Sequence, residues 1–284
     1  MKIGINLDPF ASKHGRYGEL KFKKIREHGF EAVDYGIQNT DTYVYTSTEA
    51  EMREFLEREA NSAKEAGVVI SQIHGPWRYP PMDLTPEDLN ERMDKMKRAV
   101  LATEAIGSKY MVIHPIMPFG TADIQDGKEK ETFEMNISFM TELATYAGEH
   151  GVTVCIENMP MLGFSIARPA KILELVLAVG LDSFMICLDT GHVSVFDDLS
   201  PSEEILRLGK YLKVLHIHDN LGDKDAHLFP TLGRVNWGGV KESLDAIGFD
   251  GVFSLECAPS PLLSDVEFEK ESKRLAEIAR KIIN

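Results

Sequence analysis

Four short apolar runs divide the second half of the chain. They are Thr-Val-Cys-Ile-Glu (153–157), Met-Ile-Cys-Leu-Asp (185–189), Lys-Val-Leu-His-Ile-His-Asp (213–219) and Val-Phe-Ser-Leu-Glu (252–256). Between them the apolar positions recur at helical spacing. A strand that is apolar throughout is buried on both faces, the condition of a parallel sheet covered by helices. The first half repeats the alternation, with strand patterns at 2–6, 32–36, 68–75 and 110–115. Helical patterns there run over 19–28, 48–66, 85–106 and 128–150. Thr48 with Glu51 three residues on reads as a capping box. Thr85–Pro86 reads as a cap followed by proline at the first helical position. Further helices follow Arg168–Pro169 and Ser200–Pro201, begin near Trp237, and close the chain from Val266 to Ile283.

Eight strands alternating with eight helices, about thirty-five residues per unit, predict an α/β fold. Right-handed crossovers of that size close into a (β/α)₈ barrel, the TIM barrel, typically of ~250 residues. An open doubly wound sheet would carry a glycine-rich first turn. The turn here is Asn-Leu-Asp-Pro-Phe (6–10), which favours the barrel. Nothing in 1–284 reads as a linker, so a single domain is expected.

In such a barrel the active site lies at the C-terminal strand ends. Glu157, Asp189, His216 and Glu256 each stand where one of the four runs gives out. Charged groups at the exits of buried strands are costly unless something binds them. A divalent cation is the economical explanation, and two glutamates, an aspartate and a histidine suit manganese, magnesium or a related ion. His74, His114, His192, His218, Asp225 and His227 fall at the same end. Of nine histidines only His14, His28 and His150 lie elsewhere. His28 and His150 end helices, where a cation suits the dipole.

Composition narrows the field. A chain of 284 residues, 43% hydrophobic, can build one large core. The formal charge of −14, with 45 acidic side chains against 31 basic, disfavours nucleic acid and anionic membranes as partners. The N-terminus enters a strand pattern without a signal segment, and no apolar run approaches a bilayer span. Three cysteines, none in a Cys-X-X-Cys pair, make no disulfide framework, so a cytoplasmic protein is expected. Cys155 and Cys187 precede candidate ligands by two residues and should line the barrel interior. Cys257 has the opposite parity to Glu256 and should face the helices.

In order, Ile-Glu-Asn (156–158), Leu-Asp-Thr-Gly-His (188–192), His-Ile-His-Asp-Asn (216–220), Asp-Ala-His-Leu-Phe-Pro (225–230) and Leu-Glu (255–256) resemble the xylose isomerase-like barrels. That superfamily includes sugar and sugar-phosphate isomerases, ketose epimerases, hydroxypyruvate isomerase, inosose dehydratase and a zinc-dependent apurinic-site endonuclease. The resemblance implies one divalent metal, manganese first and magnesium, cobalt or zinc as alternatives, held by Glu157, Asp189, His216 and Glu256. It implies further that Glu157 and Glu256 are the acid and base of proton transfer through a cis-enediolate. A proton beside a carbonyl is too weakly acidic to leave unaided, so a cation and two carboxylates suit the task. His74, His114, His192, His227 and Trp77 would line a sugar pocket. His218 stands between supporting the ligands and packing the loop.

The same resemblance carries an alternative. In the endonuclease, counterparts of His74, His114, His192, Asp225 and His227 complete a three-zinc cluster. The acidic βα loops, such as Asp-Leu-Thr-Pro-Glu-Asp (83–88) and Phe-Asp-Asp-Leu-Ser-Pro (196–201), favour a small sugar or sugar-derived ketone over DNA. An inosose dehydratase-like lyase and a non-catalytic sugar-binding barrel remain further alternatives. Family members often form dimers or tetramers. The loop 225–237 departs from the family's pattern, with Thr231 at a usual glycine and Asn236 at a usual aspartate. Arg234 could meet an anionic group or lie solvated at the rim. Phe10, Phe119 and Arg78 are weaker candidates for pocket walls and lid.

Overall fold

The computed structural model describes residues 1–15, 18–77 and 85–284. Eight parallel strands stand in the order β7-β6-β5-β4-β3-β2-β1-β8. They are β1 (Lys2–Asn6), β2 (Ala32–Gly36), β3 (Val69–His74), β4 (Tyr110–Ile113), β5 (Thr153–Glu157), β6 (Phe184–Asp189), β7 (Leu212–His216) and β8 (Val252–Leu255). The ring closes at Ile217, just past β7, whose N–H donates to Ser254 O at 2.8 Å and whose carbonyl accepts from Glu256 N at 3.0 Å. This is the expected (β/α)₈ barrel.

The outer layer is α2 (Leu20–Glu27), α4 (Glu49–Glu65), α5 (Pro86–Ala105), α6 (Glu129–Glu149), α7 (Pro169–Val179), α9 (Pro201–Leu208), α10 (Trp237–Ala246) and α11 (Asp265–Ile283). Three short helices decorate the loops at the strand exits: α1 (Asp8–His14), α3 (Tyr43–Thr46) and α8 (Thr190–Val193). Their sequences are too short for a clear helical period, and the pattern did not predict them. Thr48 forms the expected capping box with Glu51, and Thr85 is the expected cap before Pro86 and makes a capping box with Asp88 as well. Such caps are worth ~1 kcal/mol each.

The core divides in two. Most of it lies between sheet and helices, while Val112, Cys155, Cys187 and Val214 form a separate cluster inside the barrel. Cys155 and Cys187 therefore face inward and Cys257 joins the helix-facing core, as parity predicts. Among the described residues no helix is long and apolar enough to cross a membrane.

Two expectations need correction. Phe10 is fully buried on α1 against Phe30, Phe268 and His28, and forms core rather than a pocket wall. His28 does cap α2, but it is buried beside Phe10 and Phe268 with neither ring nitrogen hydrogen-bonded. Burial lowers its pKa to about 4, so it sits there neutral and gives the helix dipole no charge.

Candidate metal centre

The parallel strands deliver their last side chains to one place. Glu157 and Asp189 end β5 and β6, His216 ends β7, and Glu256 follows β8. One donor atom from each lies within 4.8 Å of the others. His216 Nδ1 faces Glu157 Oε1 at 2.8 Å and Glu256 Oε2 at 2.9 Å. Glu157, Asp189 and His216 are almost wholly buried. Glu157 Oε2 and Asp189 Oδ2 are buried oxygens without a hydrogen-bond partner, while Glu256 Oε2 meets His216 Nδ1. Two orphaned carboxylate oxygens and a third carboxylate around an imidazole are a set of metal-donor groups, and a divalent cation fits it.

The electrostatics agree. Burial disfavours the charged imidazole of His216, yet its neighbours, Cys187, Glu157 and Glu256, hold its pKa well above the ordinary range. Burial likewise opposes ionisation of Asp189, but His192 and His218 bring it to about 2. Without a cation, the cluster draws in protons to balance its negative charge.

Asp34, from β2, also belongs to this cluster, although its sequence position did not single it out. Its Oδ2 faces His216 Nε2 at 2.8 Å and accepts from Gln72 Nε2 at 3.1 Å. Val33 and Tyr35 on either side of it belong to the core under the helices, so strand alternation points Asp34 into the barrel. The available signal was an acid in the middle of the apolar run Ala-Val-Asp-Tyr-Gly.

Two further groups adjoin the first. His74, Glu157 and His216 also converge, and His114 Nε2 lies 3.3 Å from Glu157 Oε2. His192, His218, Asp225 and His227 form a separate group on the β6 and β7 side. There Asp225 Oδ2 is 3.1 Å from His227 Nε2 and 3.4 Å from His192 Nε2. Although burial opposes its charge, Asp189 and Asp225 raise the pKa of His192 to about 10. His218 belongs to this group rather than to loop packing. Its Nε2 is 2.9 Å from Asp189 Oδ1 and its ring stacks on His227 with centroids 4.1 Å apart.

The motifs hold these groups in place. Asn158 brackets Asp189, accepting from its N–H at 2.8 Å and donating to its carbonyl at 3.1 Å. Its own carbonyl meets His192 Nδ1 at 2.7 Å. The carboxylate of Asp189 also caps α8 through His192 N–H. Gly191 must be glycine, because a Cβ there would run into the ring of His218. The loop carrying Asp225 and His227 is tied by Asp219, whose buried carboxylate accepts from Asn220 N, Thr231 N, Val235 N and Trp237 Nε1 at 3.0–3.1 Å. Thr231 takes φ 77° where glycine is the easy residue.

A cavity of about 310 Å³ opens over the centre, lined among others by His74, Trp77, His114, Glu157, His192 and Glu256. Asp225 and His227 complete its wall. Trp77 is 45% exposed, with its ring 5.9 Å from that of His114. Arg78 lies outside the described residues. Arg234 does not face the cavity: its guanidinium donates to Ser194 O and pairs with Asp197 at 3.0 Å. Phe119 is half-buried under Lys128 and is absent from the described lining.

Comparison with known proteins agrees with the barrel fold. An uncharacterized protein of Methanocaldococcus jannaschii, MJ1311, is 28% identical over 245 residues, covering 82% of this chain and 77% of its own. The Staphylococcus aureus protein named "Probable endonuclease 4" is 25% identical over 231 residues, 75% and 74% of the two chains. The structure of D-psicose 3-epimerase from Clostridium cellulolyticum H10 superposes with a TM-score of 0.77 over 100% of both chains at 17% identity. The family profile described as Xylose isomerase-like TIM barrel matches residues 22–281, and the chain belongs to that family.

Proposed function

We propose that this protein is a divalent-metal-dependent isomerase or epimerase of a sugar, a sugar phosphate or a related hydroxy-carbonyl compound. The observation that carries the reading is the convergence of Glu157, Asp189, His216 and Glu256, with orphaned buried oxygens on Glu157 and Asp189, beside a cavity of small-molecule size. These four residues would hold the cation, which would supply the positive charge that makes loss of an α-proton accessible. Manganese suits the mixed donors best.

Glu157 and Glu256 both line the cavity, entering from β5 and from beyond β8. A substrate lying between them presents opposite faces of one carbon to the two carboxylates. One takes the carbon-bound proton, and the other returns a proton to the same or the neighbouring carbon. His74, His114, His192 and His227 offer imidazole nitrogens to substrate oxygens, and Trp77 offers an apolar wall. The likeness to an epimerase barrel supports the reading.

The test is solvent deuterium uptake on a panel of ketoses and keto-acids. With manganese added, uptake at the carbon beside the carbonyl is expected. Glu157→Gln and Glu256→Gln should each lower it at least 100-fold with the fold intact, since general acid–base groups contribute ~10²–10⁴. Full activity in either variant would remove the two-carboxylate mechanism.

A second reading rests on a specific observation. The groups around His74–His114 and His192–His218–Asp225–His227 extend the donors well beyond one ion's needs. Such a set suits several zinc ions and phosphodiester hydrolysis at an abasic site. Against it, Arg168 and Arg234, in the loops after β5 and β7, are paired with Asp198 and Asp197. Metal analysis of the purified protein separates the readings: one equivalent favours the isomerase, and three favour the nuclease.

A further inference from the structure

A second cavity, of about 280 Å³, adjoins the one over the metal centre. It opens between the exits of β1 and β2, and Gln38 and Trp77 line both chambers. The two chambers are close in volume, about 280 and 310 Å³, each near the lower bound of ~300 Å³ for small-molecule sites. We propose that this chamber is a subsite for a second sugar unit, so that the substrate is a glycosylated ketose or keto-sugar rather than a free monosaccharide. The inference rests on the isomerase reading for the chemistry of the first chamber.

The lining determines the ligand class. Asp8, Gln38, Asn39 and Thr42 supply carboxylate, carboxamide and hydroxyl groups, and no described residue of the lining is basic. Such a lining suits a ligand rich in hydroxyls. Aromatic rings complete it: Tyr43 packs edge-on against Phe55, with centroids 5.6 Å apart, and Trp77 stands at the junction. Tyr43 is 42% and Trp77 45% exposed, unlike the buried aromatics of the core. Flat apolar faces open to solvent beside polar groups mark binding surfaces. The backbone makes room as well. Gly36 ends β2 at the chamber's edge, where a Cβ would run into the Gln38 carboxamide oxygen and crowd the Asp8 carboxylate oxygens at 3.0 and 3.1 Å.

The test uses manganese-loaded full-length protein and four probes. These are D-fructose and D-tagatose, lactulose (D-fructose carrying galactose at O4) and isomaltulose (D-fructose carrying glucose at O6). Calorimetric titration is expected to show at least one glycosylated fructose binding tenfold or more tightly than fructose. Ala11→Phe, which fills the chamber, should abolish that preference while changing fructose affinity less than twofold. Tyr43→Ala, at an exposed aromatic, is the second variant and should reduce the preference at least threefold. The proposal is overturned if no glycosylated probe gains over fructose, or if both folded variants keep the preference. Deuterium uptake in the same samples distinguishes this failure from that of the catalytic reading. Uptake without glycosyl preference sinks the subsite alone, whereas glycosyl preference without uptake from any probe sinks the isomerase alone.

Discussion

Asp34 and Thr231 show how much single residues decide here. Asp34 receives one nitrogen of His216, leaving the other aimed at Glu157 and Glu256. A carboxylate in that position fixes the ring's orientation and makes it a better ligand. Asp34→Asn is expected to weaken manganese binding ~10–100-fold with the fold retained. Equal affinity in titrations of the two proteins would deny Asp34 that role. Thr231 stores strain instead, since its left-handed backbone costs a residue with a Cβ ~1–2 kcal/mol. Glycine would recover most of that, less ~0.5–1 kcal/mol for greater freedom when unfolded. Thr231→Gly should therefore stabilise by about 0.5–1 kcal/mol in urea unfolding; a loss of stability would show that the threonine makes a compensating contact. The candidate ligands were legible because each is a charged or imidazole group at the end of an apolar run. Asp34 carried a similar signal but lies in mid-strand, away from the strand exits where ligands are sought.

At the scale of elements, the buried strands and capped helices were readable to within a few residues, because burial on both faces leaves few polar positions. The exceptions have physical reasons. The run 213–219 yields a strand that ends at His216, because Ile217 pairs with the neighbouring β8 and Asp219 turns to gather the following loop. The packing of α1, α2 and α11 makes a different prediction. His28 is enclosed there by Phe10 and Phe268, and burial holds its pKa near 4 against an ordinary 6.5. Its folded value is depressed, so the unfolded chain binds the extra proton between those limits. Stability contributed by the neutral ring is complete above pH 6.5 and drains away as pH falls towards 4. Thermal melts of wild type should fall across that window more steeply than those of His28→Leu. Parallel curves would show that other groups carry the acid sensitivity.

For the whole molecule, eightfold alternation and motif order identified the barrel and its family, because both are properties of the chain's period. Chemistry was less legible. The same nine positions serve one metal or several, and the distinction lies in loop shape and charge. The second chamber could not be read at all, since Leu7, Gln38, Tyr43 and Trp77 come from the segments after three different strands, β1, β2 and β3, whose meeting no local pattern encodes. The closure of the cylinder carries a mechanical consequence. One residue, Ile217, joins the last two strands, and on either side of that thin seam stand His216 and Glu256, 2.9 Å apart. An ion gripped by both would rivet the wall where it is narrowest. Catalyst and fastener would then be one atom, and the chain could not shed the first without loosening the second.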